Sequence, residues 1–279
     1  MTDVKKKKGR REEMKEQEYV LSLSYGKDSL ACLGAIEELG LPLDRIVHAE
    51  VWATDTIHAD FPEMVEFKSK ADKIIKERYG IEVEHFRADV TYEEQFYKMR
   101  FNKKSNAGCI YGFPIIKGPW CNDRLKMAAL RKCKTNGIEY IGIAFDEPNR
   151  FHTLNDKRRS PLVEAKWTEE MCRKWCAEND LLSPIYTTAT RGGCWFCHNQ
   201  GIGQLRLLRR NHPDLWALLL QWDIDSPVSF KPDGHTVHDF DKRFEAEEKG
   251  LVPADRKFRW KMLVHPSEKS ATDIYVGTY

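Results

Sequence analysis

One hexapeptide combines residue types that bind an anion. Ser24-Tyr25-Gly26-Lys27-Asp28-Ser29 lies between an apolar run typical of a strand, Tyr19–Leu23, and a segment with helical spacing, Ser29–Ile36. At such a junction, backbone N–H groups and the helix dipole favour a phosphate group. Gly26 lets the main chain approach closely, Lys27 supplies a charge, and the two serine hydroxyls can donate to phosphate oxygens. The segment is therefore predicted to bind the phosphate end of a ligand.

Four of the eight cysteines suit one metal–sulfur centre. Cys194 and Cys197 form a C-x-x-C pair, a spacing at which one centre can take both sulfurs. Cys109 and Cys121 stand at the two ends of a segment rich in Gly and Pro. All four sulfurs converge if that segment folds over the C-x-x-C turn. Tetrahedral sulfur ligation suits either structural zinc or an iron–sulfur cluster, and spacing alone does not decide between them.

The other cysteines are predicted to have packing roles. Cys172 and Cys176 are four residues apart on a predicted helix, where they fill an apolar stripe. Cys32 and Cys133 are expected in the core or in helix packing. His198 follows the C-x-x-C pair directly and is expected to be a polar neighbour of sulfur, with zinc ligation as the alternative.

Composition indicates a folded, intracellular protein. The 279 residues include 41% apolar residues, enough for a core, and 45 basic side chains nearly balance 43 acidic ones. No apolar window is long enough to span a bilayer, so we expect a cytoplasmic protein without membrane contact, whose thiols serve metal or redox chemistry rather than disulfides. Residues 1–18 are predicted to form a charged tail. Lys5 to Arg11, with Arg206, Arg209 and Arg210, could meet a nucleic-acid backbone or simply be solvated.

Strands and helices alternate along the chain, which predicts an α/β fold: a twisted parallel sheet with helices on both faces. Residues 19–160 are assigned to this phosphate-binding α/β domain, and residues 161–279 to a mostly helical, Cys-containing extension. The predicted elements after the first helix are strand Ile46–Trp52, helix Phe61–Tyr79, strand Ile81–Phe86, helix Asp123–Lys134, strand Ile138–Ala144, a helix from Trp167 to Asn179 and helix Leu205–Trp222.

The hexapeptide is not a Walker A loop, because Leu21 and Asp28 replace its first Gly and its final Ser or Thr. It resembles the S-x-G-K-D-S signature of the PP-loop superfamily, the ATP pyrophosphatases and adenine nucleotide α-hydrolases. Three further segments resemble the phosphoadenosine phosphosulfate (PAPS) reductase-like branch: Ala53–Thr56 with Phe61-Pro-Glu63, Gly142–Arg150, and Pro161–Thr168.

The resemblance implies an adenine nucleotide ligand, ATP or PAPS, with Mg²⁺ holding pyrophosphate. It adds Asp55 to the nucleotide site and assigns catalytic roles to Lys27, Asp28, Asp146 and Arg150. Arg124, Lys126 and Arg150 are expected to form a cationic wall facing phosphate. For Arg124 and Lys126 a solvated helix face is the alternative. Pro119–Lys126 resembles the motif that precedes the C-x-x-C pair in cluster-containing relatives, which favours a [4Fe-4S] cluster on Cys109, Cys121, Cys194 and Cys197.

Three functions follow as hypotheses. The first is adenylation of an acceptor, such as tRNA or DNA, followed by sulfur transfer with a donor protein such as a cysteine desulfurase. The second is a sulfonucleotide reductase variant that releases sulfite, although the chain has no C-terminal E-C-G-(I/L)-H motif and its last cysteine is Cys197. The third is a noncatalytic nucleotide- or nucleic-acid-binding module with a structural metal.

Overall fold

A computed structural model describes residues 17–101, 108–114, 119–133, 135–187 and 192–263. Five strands form one parallel sheet in the order β3-β2-β1-β4-β5. Strand β1 pairs in parallel with β2 and β4, and β4 pairs in parallel with β5. The predicted α/β class with a parallel sheet is confirmed. The strands are β1 (Tyr19–Ser22), β2 (Arg45–Glu50), β3 (Val83–Arg87), β4 (Ile138–Tyr140) and β5 (Arg158–Arg159).

Nine α-helices are present in the described part of the chain. In order they are α1 (Lys27–Leu39), α2 (Pro62–Tyr79), α3 (Tyr92–Tyr97), α4 (Ala128–Lys132), α5 (Pro161–Glu164), α6 (Glu169–Glu178), α7 (Ile202–Asn211), α8 (Pro213–Asp225) and α9 (Val237–Glu248). A π-helical segment, Asn122–Met127, leads into α4, and 3-10 turns cover Pro148–Thr153, Pro184–Thr187 and Trp260–Met262. The mostly helical C-terminal part is thus confirmed.

The single helix predicted over Leu205–Trp222 is wrong. His212 adopts φ −133° and ends α7, and Pro213 then occupies the first turn of α8. Proline has no N–H and its ring clashes with the preceding turn, so it starts a helix readily but cannot continue one. Helix α9 was not predicted at all, although Thr236 and Asp239 form a capping box at its start.

The described residues form two compact units. The first comprises the chain up to His48 with Ile74–Glu84 and Cys133–Leu181, and the second comprises Ala49–Lys73, His85–Lys132 and the chain from Leu182 onward. Thus the hexapeptide belongs to the first unit and all four predicted metal ligands belong to the second. The predicted boundaries at residues 18 and 160 remain a prediction.

The two units have different cores. In the first unit, apolar side chains of β1 and α1, among them Leu21, Leu30 and Leu33, are fully buried. In the second, a large cluster is dominated by aromatic rings, with Trp195 and Trp222 fully buried at its centre. Large rings bury much apolar area per residue, so aromatic packing contributes a large share of this core. None of the helices described is both long and apolar enough to cross a membrane.

Candidate functional site

The hexapeptide forms the turn between β1 and α1. Tyr25 has φ 55°, a left-handed conformation that is uncommon outside glycine. Its side chain is buried, and its ring packs edge-on against His48 with a centroid distance of 4.7 Å. Nδ1 of His48 lies 2.8 Å from the carbonyl oxygen of Leu23. The buried Tyr25 side chain therefore holds the turn in place, and only the backbone of Tyr25 is available to a ligand.

The two serine hydroxyls close the turn. Oγ of Ser24 and Oγ of Ser29 are 3.0 Å apart, and the Ser24 N–H donates to Oγ of Ser29 at 3.1 Å. Oγ of Ser29 also donates to the Gly26 carbonyl at 3.0 Å. Gly26 is the N-cap of α1 and no side chain caps this helix end. The positive end of a 13-residue helix is thus presented at the turn, as an anion site requires.

Lys27 is the cation of the turn. Its Nζ donates to Oδ1 of Asp28 at 2.8 Å and to Oε2 of Glu169, at the start of α6, at 2.9 Å. Burial lowers the pKa of Lys27, but the two carboxylates outweigh it, so the pKa lies above its ordinary value and the ammonium stays charged. Glu169 was not predicted as a site residue, because it lies in none of the site motifs and at no characteristic spacing from Lys27.

Gly142 holds the segment after β4 against the turn. A Cβ atom at this position would lie 2.6 Å from the backbone N of Ser29, closer than real Cβ contacts allow. Asp146 and Glu147 lie in the same segment, shortly after Gly142. Oδ1 of Asp146 accepts the Glu169 N–H at 2.9 Å, and Glu147 accepts the Ala144 N–H at 3.2 Å.

Asp28, one of the predicted catalytic residues, interacts with several charged side chains of the first unit. Burial raises the pKa of Asp28, the Lys27 ammonium opposes that shift, and the charges of Glu169 and Glu147 add to it. Arg150 donates from Nη1 to both oxygens of Glu147 at 2.9 Å and is half exposed. Arg150 therefore contacts Glu147, and its predicted role towards phosphate stays a prediction.

Three other predicted nucleotide residues belong to the second unit. Asp55 lines a polar cavity of about 170 Å³ that also contains Arg87 and Lys132. Arg124 and Lys126 are exposed on the π-helical segment, and Nε of Arg124 lies 3.9 Å from Asp123. Both side chains are therefore open to solvent, and their role towards phosphate stays a prediction.

The C-x-x-C pair forms a tight turn in the second unit. The Cys197 N–H donates to the Cys194 carbonyl at 3.0 Å. Trp195 anchors the turn, because its backbone N–H donates to the Ala59 carbonyl at 2.8 Å and its Nε1 donates to the His58 carbonyl at 2.9 Å. Both anchors lie in the segment after β2, so the sequence between Trp52 and α2 positions the thiols.

Three of the four predicted ligands interact electrostatically. Burial and the charge of Cys197 raise the pKa of Cys121 to about 11. Burial, with the charges of Asp60, Cys197 and Cys121, holds the pKa of Cys194 well above its ordinary value. Cys109, the fourth predicted ligand, is exposed. We refer to Cys121, Cys194 and Cys197 as the thiol cluster.

The residues around the thiol cluster fit a metal–sulfur centre. The hydroxyl of Tyr92 is buried and has no hydrogen-bond partner among the described residues. Burial raises the pKa of that hydroxyl, and the charges of the three thiols add to the effect. Soft sulfur donors beside an unpaired buried donor suit a group that carries acceptor atoms. Among the described residues, no group of three or more Cys, His, Asp or Glu is already arranged around a single ion position, so the four-ligand set stays a prediction.

Lys231 was missed by the sequence reasoning. Its Nζ donates to the carbonyls of His198 at 2.5 Å and Gln200 at 2.6 Å, directly after the C-x-x-C pair. Burial lowers the pKa of this ammonium, and the Cys197 charge partly offsets the shift. His198 is buried, and its predicted role as a polar neighbour of sulfur stays a prediction.

The basic face predicted on α7 is largely neutralised. Arg206 donates to Glu247 at 2.9 Å, and Arg209 donates to Asp241 at 2.8 Å and to Glu248 at 2.6 Å. Only Arg210, of the three, makes no ion pair with a described residue and is exposed. Lys5 to Arg11 lie outside the described residues.

The packing roles predicted for Cys32, Cys172 and Cys176 agree with their complete burial, whereas Cys133 is half-buried beside Arg45.

No protein-family model and no curated protein matches this chain. Among solved structures it is similar to the U34-tRNA thiolase NcsA from Methanococcus maripaludis with its [4Fe-4S] cluster. The identity is 16% and the TM-score 0.35, over 75% of this chain and 71% of the thiolase chain.

Proposed function

We propose that this protein is a PP-loop enzyme that binds ATP at the hexapeptide turn and adenylates an acceptor for sulfur transfer. The observation that carries the proposal is the turn itself: Lys27, two serine hydroxyls and the uncapped end of α1 lie together where β1 leaves the sheet. Ligands of parallel α/β sheets bind outside the carboxyl ends of the strands, which is where this turn lies.

In the proposed reaction, an acceptor carbonyl oxygen attacks the α-phosphorus of ATP, and pyrophosphate leaves. A sulfur nucleophile then displaces AMP from the adenylate, so the acceptor oxygen departs with AMP and sulfur takes its place. Lys27 would hold the negative charge of the phosphates during the first step, and the α1 N–H groups would orient them. Asp28 and Asp146 are the proposed carboxylate partners of Mg²⁺ on pyrophosphate.

The thiol cluster, with Cys109 as the proposed fourth ligand, would hold a [4Fe-4S] cluster. When bound, that group would supply a place where sulfide can be held as the nucleophile. The acceptor is proposed to be tRNA or DNA, and a sulfur donor protein is expected to renew the sulfide.

The nucleotide part of the proposal is tested by product analysis. The wild-type protein should release pyrophosphate from ATP in the presence of acceptor RNA or DNA, and AMP when sulfide is also supplied, and Lys27→Ala should lose both. Lys174→Ala is the matched control, because Lys174 is exposed on α6 and pairs only weakly with Glu178 at 3.8 Å. Release of sulfite from PAPS or adenylyl sulfate would instead support the reductase. Nucleotide binding with no product from any of these substrates would support a binding module.

The metal part is tested by anaerobic purification with assay of iron, labile sulfide and zinc. Cys194→Ala should lose the centre, whereas Cys133→Ala should keep it, because Cys133 is not a proposed ligand and lies beside Arg45. Cys109→Ala decides whether the exposed cysteine is the fourth ligand. Stoichiometric zinc without iron would contradict the cluster.

A further inference from the structure

Tyr92 lies between the residues that flank the thiol cluster. Its ring is 4.0 Å by centroid distance from Phe196, which stands between Cys194 and Cys197 in the chain, and 4.9 Å from Trp120, which precedes Cys121. Trp222 packs against it at 5.1 Å. Its backbone N–H donates to the Trp52 carbonyl at 2.9 Å. The side chain is therefore held in place by rings and by the start of α3.

The position of the Tyr92 hydroxyl is costly for the protein alone. The residue is 1% exposed, and its oxygen has no hydrogen-bond partner among the described residues. Leaving a buried polar group unsatisfied costs about 1–3 kcal/mol. Phenylalanine would fill the same space without that cost, so the hydroxyl is free to donate to an acceptor outside the described residues.

We infer that the Tyr92 hydroxyl donates a hydrogen bond to a sulfur atom of the metal–sulfur centre held by the thiol cluster. Tyr92 is then a positioning residue that sets the properties of the centre without binding the metal. The inference rests on the metal part of the proposed function and is independent of the nucleotide part.

A hydrogen bond to sulfur has a defined electronic effect. It stabilises the negative charge that builds on the sulfur atoms when the centre takes up an electron, so it raises the reduction potential. It also holds the centre in the protein, since partners outside the ligand set affect metal affinity. Removing the hydroxyl should therefore make the potential more negative and speed the loss of iron.

The test compares Tyr92→Phe with Tyr140→Phe. Tyr140 is the matched control, because its hydroxyl is also buried without a partner among the described residues, but it belongs to the first unit. Each full-length protein is loaded anaerobically with iron and sulfide. The midpoint potential, the rate of iron loss to a chelator, and the thermal stability of the metal-free protein are then measured.

We expect Y92F to have a more negative potential and faster iron loss than the wild type, while Y140F is unchanged in both. Without metal, Y92F should be as stable as the wild type or more stable. Equal potentials and rates in Y92F and wild type would overturn the inference, as would a metal-free Y92F protein that is clearly destabilised, or a wild type that takes up no iron and sulfide. If the potential shifts but no pyrophosphate is formed from ATP, only the nucleotide part of the proposed function fails.

Discussion

If ATP binds at the hexapeptide turn as proposed, Glu169 competes with its phosphates for Lys27, and neutralising Glu169 should strengthen ATP binding. Nζ of Lys27 lies 2.8 Å from Asp28 and 2.9 Å from Glu169, while the Glu169 side chain is 48% exposed. A phosphate that approaches Lys27 must replace this carboxylate or tolerate its repulsion. Glu169→Gln keeps the length and the hydrogen-bonding capacity of the side chain but removes its charge.

The expected change in ATP affinity follows from the exposure of the Glu169 side chain. An ion pair this open to water contributes about 0.5–1 kcal/mol, well below a buried pair. Since 1.4 kcal/mol corresponds to a factor of ten, E169Q should lower the Kd for ATP about two- to fivefold. The effect should shrink with added salt, because the competing carboxylate is partly screened.

The assay is calorimetric titration with ATP at low and moderate salt. Glu170→Gln is the matched control, since Glu170 is exposed on the same turn of α6 and makes no ion pair with a described residue. An E169Q protein that binds ATP no better than E170Q would refute the competition. Weaker binding by E169Q would mean that Glu169 orients Lys27 instead.

Further predictions concern stability. Hydrogen bonds to Asp72 and Glu50 raise the pKa of His85 from 6.5 to about 9, so its stabilising effect is complete below pH 6.5 and is lost as the pH rises through 9. The contribution of protonated His85 to the free energy of unfolding is at most about 3 kcal/mol, and less because the side chain is partly exposed. The melting temperatures of the wild type and His85→Gln should therefore converge above pH 9. Gly142→Ala should destabilise by about 1–3 kcal/mol in urea unfolding, because its Cβ would meet Ser29. Gly203→Ala should instead stabilise by up to about 1 kcal/mol, because nothing lies within 4 Å of its Cβ and alanine favours α7.

The sequence was sufficient to predict β1 to β4 and the turn that carries Lys27, but the two-residue strand β5 was not predicted. Buried parallel strands have short, mostly apolar sequences. The strands predicted at residues 46–52 and 138–144 overlap β2 and β4. The signature around Gly26 is local, so strand, turn and helix follow directly from consecutive residues. The prediction of a single helix over Leu205–Trp222 failed, because the apolar periodicity continues through Pro213 and does not reveal the break between α7 and α8.

The partners of the site residues were not predictable, because they are distant in sequence. Glu169 reaches Lys27 across 142 positions, and Lys231 contacts the carbonyl of His198 across 33. Neither residue stands in a motif. Tyr92 is similar, since its spacing from Cys121 and Phe196 carries no periodic signal. Only packing brings these side chains to the site, and packing is not encoded in any short window.

The two candidate ligand-binding regions therefore differ in how they would respond to a ligand. Glu169 is nearly half exposed, so water can solvate its carboxylate when phosphate takes Lys27, and the cost of exchange is small. The Tyr92 hydroxyl is 1% exposed and packed among three rings, so it cannot turn towards water when no acceptor is present. A change at Glu169 should thus alter affinity modestly and reversibly. A change at Tyr92 should alter how long the metal–sulfur centre is retained, because a fixed donor contributes its hydrogen bond without the cost of reorganising the protein.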